Sequence, residues 1–192
     1  MTFVVVYDAN VLYPSTLRDV LIRAALAGLV QARWTDQILD EVFRNLKANL
    51  PDLESAKLDR TRELMTRVVR DAMVTGYEKY IPLVQLECDR DDRHVVAAAI
   101  RAGARQIVTF NLRDFPAESL VAWKLEAVRP DDFLFQMCRH DRNEMTRVIG
   151  QVAAGWKGIR TAREVLESLE RSGLPGTASE MRSFVVADPT RM

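Results

Sequence analysis

Short apolar runs alternate along the chain with longer stretches in which apolar residues recur every three or four positions. The first run, Phe3–Tyr7, is continuously apolar and rich in β-branched residues, which is typical of a strand buried on both faces of a parallel sheet. Gln106–Thr109 is also strand-like, and Leu125–Val128 is a weaker candidate. Because no hairpin turn signals join these runs, the pattern predicts an α/β fold with a parallel sheet.

Helical spacing fills the intervals between the strands and the whole chain after Asp141. Thr35 can cap the helix that follows it, and Gly103 supplies a left-handed helix stop. The predicted helices are Leu17–Ala25, a second over the apolar stripe from Ile38 to Leu46, a longer one from about Leu53 to Thr75, His94–Ala102, and one that opens at Pro130–Phe133. We expect one domain over residues 1–138 and a C-terminal helical extension over residues 139–192, packed on or beside it.

Composition and charge argue against several classes of protein. Among the 192 residues, 27 Lys+Arg balance 27 Asp+Glu, which argues against a strongly basic, indiscriminate nucleic-acid binder. Two cysteines, Cys88 and Cys138, and two histidines are too few for a disulfide framework or a structural zinc site. No basic residues precede Phe3–Tyr7, so this apolar run does not have the pattern of a secretory signal peptide. No run approaches the roughly 20 apolar residues that a membrane-spanning helix needs. We therefore expect a cytoplasmic protein without a membrane segment.

Polar residues follow two of the predicted strands, and two acids precede the helix before the later strand. In a parallel α/β sheet the carboxyl ends of the strands form a common binding crevice, so these residues can converge there. Converging carboxylates without basic partners repel one another, and a hard divalent cation such as Mg²⁺ relieves that repulsion. The pattern therefore points to metal-dependent hydrolysis of a phosphodiester. The residues concerned are Asp8, Asn10, Asp91, Asp92, Thr109, Asn111 and Asp114.

The chain resembles the PIN-domain ribonucleases, particularly the VapC-like toxins of bacterial toxin–antitoxin pairs. Four segments carry the resemblance in this order, within about residues 3–135: VVVYDANVLY, ILDEV, DRDDRHVVAAAIRAGARQIVTFNLRDFP and RPDDFL. The resemblance implies a PIN-like α/β/α sandwich with a central parallel sheet. It also implies an endoribonuclease that depends on Mg²⁺ or Mn²⁺, a cognate antitoxin as partner, and a homodimer.

The roles of the family's site residues carry over by motif. Its metal-binding and catalytic acids are matched by Asp8, Glu41, Asp92 and Asp114, and its supporting polar residues by Asn10 and Thr109. Asn111 departs from the pattern, because many members of the family have an aspartate at that position. One ligand position is therefore neutral in this chain, which leaves open whether one or two metal ions bind.

Other interpretations of these residues remain open at the level of sequence. Glu41 lies on one border of its helix's apolar stripe and Asp40 on the other, so periodicity does not choose between them. Asp91 and Asp92 could cap a helix, and Asn111 and Asp114 could stabilise a turn. His94 is expected to pack on or near its helix rather than to bind metal.

Two further functions compete with a nuclease. A strand ending in Asp8 could supply the nucleophile of a haloacid-dehalogenase-like phosphatase, but Asn10 cannot serve as the acid which that chemistry normally requires two residues later. A catalytically weak or inactive PIN-like scaffold that binds RNA or protein is the second alternative, and Asn111 is the feature that favours it. Basic residues within 57–70 and 139–163 could follow an RNA backbone, although ordinary solvated helix faces have the same composition.

Overall fold

The computed structural model describes residues 3–52, 54–84, 90–155 and 161–185, so Cys88 lies outside the described residues. In chain order the elements are β1 (Val4–Tyr7), α1 (Ala9–Leu12), α2 (Ser15–Leu26), β2 (Gln31–Arg33), α3 (Asp36–Asn49), α4 (Ser55–Val68), α5 (Arg93–Ala102), β3 (Gln106–Val108), α6 (Ala117–Val121), β4 (Glu126–Val128), α7 (Pro130–His140), α8 (Arg142–Gly155), α9 (Ala162–Arg171) and α10 (Pro175–Val185). Short 3₁₀ helices span Glu78–Leu83 and Leu112–Asp114. Among the described helices, none has the length and apolar character needed to cross a membrane.

The chain divides into two compact units. The first comprises Met1–Tyr13 and Val30–Arg129, and the second comprises Pro14–Leu29 and Pro130–Met192. The domain boundary expected after residue 138 falls inside α7. The division into a domain and a C-terminal extension therefore stays a prediction.

In the first unit, the described strands form a parallel sheet in the order β2-β1-β3-β4. The registers pair Val6 with Arg33 and with Ile107, and Ile107 with Ala127. The apolar side chains of β1 are buried on both faces, since Val5 and Val6 are fully inaccessible to solvent. The predicted α/β fold with a parallel sheet is confirmed.

The order of the strands also locates the place where a ligand site is expected. From β1 the chain adds β2 on one side, whereas β3 and then β4 are added on the other side. The strand order therefore reverses between β1 and β3. In open α/β sheets, ligands bind beyond the carboxyl ends of the strands at such a reversal point. The residues that directly follow β1 and β3 therefore lie where a ligand site is expected.

Two helices position residues around that point, and the signals for their ends were visible in the sequence. Thr35 caps α3, because its hydroxyl accepts a hydrogen bond from the N–H of Ile38 at 3.1 Å. The stripe from Ile38 to Leu46 is buried, as expected from its spacing. Helix α5 packs against β1 and β3 and ends at Gly103, which has the left-handed φ of 62° that glycine tolerates best.

Two features of the first unit differ from the prediction. The helix expected to reach Thr75 ends at Val68. The chain turns at Asp71, which has a φ of 59°, and then pairs in an extended conformation with Trp34. The backbone bonds are Trp34 N to Ala72 O at 2.9 Å and Val74 N to Trp34 O at 2.8 Å. Strand β2 was not predicted at all, since it is only three residues long and buries only Ala32.

The second unit consists of α2 and the helices from α7 onward. Within it, Asp131 near the start of α7 accepts hydrogen bonds from Gly176 N at 2.9 Å and Thr177 N at 2.7 Å, which are among the first N–H groups of α10. A side chain at Gly176 would place its Cβ 2.9 Å from the same carboxylate, so a larger residue there would force the Asp131 side chain to shift. Thr16 of α2 shares a 2.8 Å hydrogen bond with Ser168 of α9.

Candidate active site

Asp8 lies at the carboxyl end of β1, where the chain leaves the sheet to begin α1. Its backbone N–H donates to the carbonyl oxygen of Val108 in β3 at 3.1 Å. Its carboxylate accepts hydrogen bonds from Ala9 N at 2.6 Å, Asn10 Nδ2 at 2.6 Å and Thr109 Oγ1 at 2.7 Å. A carboxylate offers about four acceptor positions. Most of those on Asp8 are therefore used inside the protein, and they hold the group in one orientation.

Asn10 and Thr109 link the end of β1 to the end of β3. Asn10 donates from Nδ2 to Thr109 Oγ1 at 2.9 Å and accepts at Oδ1 from the N–H of Phe110 at 3.0 Å. Thr109 is fully buried, and its hydroxyl oxygen also accepts from the N–H of Asn111 at 3.0 Å. These bonds fix the geometry around Asp8 from both strands.

A cavity of about 380 Å³ opens at this end of the sheet. All four acids expected to bind metal line it, and so do Asn10 and Asn111. Thr109 bonds to Asp8 but is not among the lining residues. The lining residues are Asp8, Ala9, Asn10, Tyr13, Glu41, Asn45, Asn49, Asp92, Asn111 and Asp114. The fold therefore gathers around one cavity the acids that lie far apart in the sequence.

Burial, and after it repulsion from neighbouring acids, opposes ionisation of Asp8 and Glu41. Burial raises the pKa of Asp8 above its ordinary value; the hydrogen bonds from Thr109 and Ala9 oppose that rise, and the charge of Asp114 adds to it. Burial, and then the charge of Asp8, raises the pKa of Glu41 to about 7. Among the described residues that line the cavity there is no lysine or arginine. The negative charge is thus not neutralised by a basic side chain in the cavity wall.

The structure distinguishes Glu41 from Asp40, the two acids of α3 between which the helical spacing could not choose. Glu41 lines the cavity, and 24% of its side chain is exposed. Asp40 lies outside the cavity and forms an ion pair with Arg62 of α4. The packing of α3 and α4 therefore turns Asp40 away from the site and leaves Glu41 in it.

The acids on the two loops have different surroundings. Asp92 is the N-cap residue of α5, yet its side chain makes no capping hydrogen bond to that helix, and it lines the cavity. Asp91 is exposed and is not among the lining residues. Asn111 donates from Nδ2 to Asp114 Oδ2 across a short 3₁₀ turn. That contact stabilises the turn, while both residues also face the cavity.

Family models match both parts of the chain. Residues 4–113, more than half of the chain, match the model described as PIN domain. The chain belongs to the PIN-domain family. Residues 130–183 match the model described as the VapC50 C-terminal domain. The resemblance to VapC-like PIN proteins is therefore confirmed, and so is the expected PIN-like α/β/α architecture around a parallel sheet.

Among curated proteins, this PIN-domain chain is similar to "Putative ribonuclease VapC50" of Mycobacterium tuberculosis (strain ATCC 25618 / H37Rv). The two are 34% identical over 99 residues, which is 51% of this chain and 59% of that protein. The chain therefore matches about three fifths of the length of this relative. No solved structure matches the chain.

A buried histidine lies directly behind the acidic wall of the PIN-domain cavity. His94 is 2% exposed, and its Nε2 lies 2.8 Å from Oε1 of Glu41 without the direction required for a hydrogen bond. Burial lowers the pKa of His94 to about 4, so the imidazole is neutral near neutral pH. His94 is buried in α5, and the adjacent carboxylate of Glu41 was not predicted from the sequence.

The sequence-based prediction missed Ala9 and three residues of the cavity wall that have polar side chains, Tyr13, Asn45 and Asn49. Asn45 and Asn49 follow Glu41 on α3 at intervals of four, so the three side chains share one face of the helix. Asn49 donates from Nδ2 to the phenolic oxygen of Tyr13 at 3.3 Å. The four-residue spacing from Glu41 was the only signal for these asparagines in the sequence. It could be used only if Glu41 was already known to face the site.

The cavity wall has oxygen donors that suit a divalent cation, but these donors are not arranged as a complete metal-binding site. Within the parts of the chain that the structure describes, no group of three His, Cys, Asp or Glu side chains is arranged to hold a metal ion. The available donors are carboxylate and amide oxygens, which Mg²⁺ and Mn²⁺ prefer. Burial, and after it neighbouring negative charge, raises the pKa values of Asp8 and Glu41, and a cation would favour the ionised forms that this surrounding opposes. The residues present therefore fit such an ion by their chemistry.

Proposed function

We propose that this PIN-domain protein is an endoribonuclease that hydrolyses phosphodiester bonds of RNA with the help of Mg²⁺ or Mn²⁺. The observation that carries the proposal is the single cavity, at the reversal point of the sheet, lined by Asp8, Glu41, Asp92 and Asp114. Membership of the PIN-domain family and the word "ribonuclease" in the name of the curated relative support the same activity.

In this proposal the four acids hold the cation and the neighbouring polar groups hold the acids. When bound, the divalent ion supplies Lewis-acid activation of water and neutralises charge that develops on the phosphate. Asp8 is kept in position by Asn10 and Thr109, so little reorganisation is needed at the deepest ligand. Burial raises the pKa of Glu41 to about 7, so this carboxyl group would have to lose its proton in order to serve as a ligand.

We further propose that the protein is the toxin of a type II toxin–antitoxin pair, with a cognate antitoxin protein as its partner. The match of residues 130–183 to the VapC50 C-terminal domain supports this assignment. A homodimer and a cytoplasmic location remain predictions from the sequence.

A catalytically weak scaffold is the alternative that a specific contact favours. Asn111 is neutral, and its amide donates a hydrogen bond to Asp114, so one proposed ligand is already engaged. A phosphatase of the haloacid-dehalogenase type has no such support. Asn10 stands where that chemistry needs an acid, and its amide is bonded to Asp8, Thr109 and the backbone of Phe110.

Chelation of the metal separates the nuclease from the scaffold. The purified protein is expected to cut single-stranded RNA with Mg²⁺ or Mn²⁺, and an excess of EDTA is expected to lower the rate by at least about a hundredfold. EDTA saturated with Mg²⁺ beforehand serves as the control and should leave the rate unchanged. Cleavage that persists in EDTA would reject the metal-dependent mechanism, and a metal-loaded protein that does not cut RNA would favour the scaffold.

A further inference from the structure

The cavity of the first unit has a second wall whose chemistry differs from that of its acids. Asn45 and Asn49 lie one and two helical turns beyond Glu41 on the same face of α3, at distances of about 6 and 12 Å along the helix axis. Tyr13 completes this wall, and its phenolic oxygen accepts a hydrogen bond from Asn49. We call Tyr13, Asn45 and Asn49 the amide wall.

The amide wall carries no formal charge, and this limits what it can bind. Among the described residues that line the cavity there is no lysine or arginine, so the wall is not built to neutralise a phosphate. Each asparagine instead has a carbonyl acceptor and an amide NH2 group, although Asn49 already donates from that group to Tyr13. These groups match the mixed donors and acceptors on the edge of a base and on a ribose hydroxyl. A tyrosine ring is a surface on which an unpaired base can stack.

The position of the wall, next to the acids, determines which part of a substrate it meets. A phosphate held near Asp8 and Glu41 places the adjoining sugar and base farther along the same cavity. In a duplex the bases are paired and stacked, so their Watson–Crick edges and ring faces are not accessible to this wall. In a single strand both are accessible.

We propose that the amide wall is a nucleoside-binding subsite that receives the base and ribose next to the cleaved phosphate of single-stranded RNA. Tyr13 stacks on the base, and Asn45 and Asn49 hydrogen-bond to its edge and to the ribose 2′-hydroxyl. The inference rests on the proposed nuclease function, because it takes the acids as the place of the scissile phosphate.

Binding of labelled single-stranded RNA, measured by fluorescence anisotropy, tests the subsite without requiring cleavage. The measurement uses the Asp8→Asn protein throughout, so that the RNA stays intact. In that background, Tyr13→Leu is expected to weaken binding by about 5- to 150-fold, because it keeps apolar bulk but removes the stacking surface. Tyr13→Phe keeps the ring and is expected to stay within about threefold of the background protein.

The role of Asn45 and Asn49 is tested by measuring which bases, and which of RNA and DNA, the protein binds more tightly. Asn45→Ala and Asn49→Ala are expected to change the order of affinities for the four homopolymeric RNAs and to reduce the preference for RNA over DNA of the same sequence. Asn143→Ala, at an exposed position of α8, is the matched control and should change neither. Circular dichroism of each variant confirms that it is folded.

The outcomes separate this inference from the proposed function. Tyr13→Leu binding within about twofold of the background, or an unchanged base order in both asparagine variants, overturns the subsite. Absence of RNA binding by the Asp8→Asn protein also overturns it. The nuclease itself fails only if the wild type does not cut RNA in the presence of metal. RNA binding that depends on Tyr13 without cleavage by the wild type would keep the subsite and reject the nuclease.

Discussion

Replacing Asp8 with asparagine is expected to lower the rate of RNA cleavage by at least about a thousandfold while the protein remains folded. Asp8 is the most buried of the four cavity acids and the one held by hydrogen bonds from both strands. Asparagine has nearly the same shape but no negative charge, so it weakens the hold on a cation without opening a void. The measurement is the initial rate of cleavage at saturating Mg²⁺.

The control for this variant is Asp59→Asn, which removes an exposed carboxylate of α4 that pairs with Lys47. It should cleave RNA at the wild-type rate, because a surface ion pair contributes little. A thermal unfolding curve checks that Asp8→Asn is folded, since its new amide meets donors that the carboxylate accepted. Asp92→Asn provides a second variant of the same cavity. Cleavage by Asp8→Asn at more than about a tenth of the wild-type rate would falsify the assigned site.

Replacing Glu41 with glutamine is expected to stabilise the metal-free protein above neutral pH and to impair cleavage at the same time. The pKa of Glu41 is about 7 in the folded protein, above its ordinary 4.5. A group with a raised folded pKa stabilises the fold below its unfolded pKa, and this contribution is lost as the pH rises through the folded pKa. The wild type should therefore lose stability between about pH 4.5 and about pH 7.

Glutamine imitates the protonated form of Glu41 at every pH, so the variant should not show this loss. The shift in pKa corresponds to about 3 kcal/mol at most, and the difference should be visible as several degrees in thermal unfolding. The exposed Glu118→Gln in α6 is the matched control and should not reproduce it. Equal thermal stabilities of wild type and Glu41→Gln above neutral pH would show that the ionised Glu41 does not destabilise the fold, and would contradict its raised pKa.

The arrangement of the strand-end residues could be predicted because it follows from general properties of parallel sheets. Asp8 and Asn10 follow β1, and Thr109 and Asn111 follow β3, so a sheet that pairs β1 with β3 must bring them together. The hydrogen bonds between Asp8, Asn10 and Thr109 are the observed result. Only the alternation of strands and helices was needed for this inference.

The residues on the helices depend on packing that local sequence does not encode. Glu41 and Asp40 occupy equivalent borders of one apolar stripe, and the ion pair of Asp40 with Arg62 from another helix distinguishes them. His94 lies beside Glu41 only because α5 and α3 both border the site. These contacts are tertiary, so a helical wheel of either segment cannot reveal them.

Backbone pairing explains the errors in the fold prediction. The segment after Val68 has helical spacing, yet Ala72 and Val74 bond to the backbone of Trp34 instead. Tertiary pairing overrode a local preference of modest size. Strand β2 was not predicted, because three residues with one buried side chain are too few to show the alternation of apolar and polar positions that marks a strand.

Titration of the wild type and Asp8→Asn with Mn²⁺ by isothermal titration calorimetry tests most directly whether the gathered acids form a metal centre. The wild type is expected to bind Mn²⁺, and Asp8→Asn is expected to bind it at least about tenfold more weakly, while Asp59→Asn binds it like the wild type. A wild type that takes up no Mn²⁺, or an affinity that does not change when Asp8 loses its charge, would contradict the account.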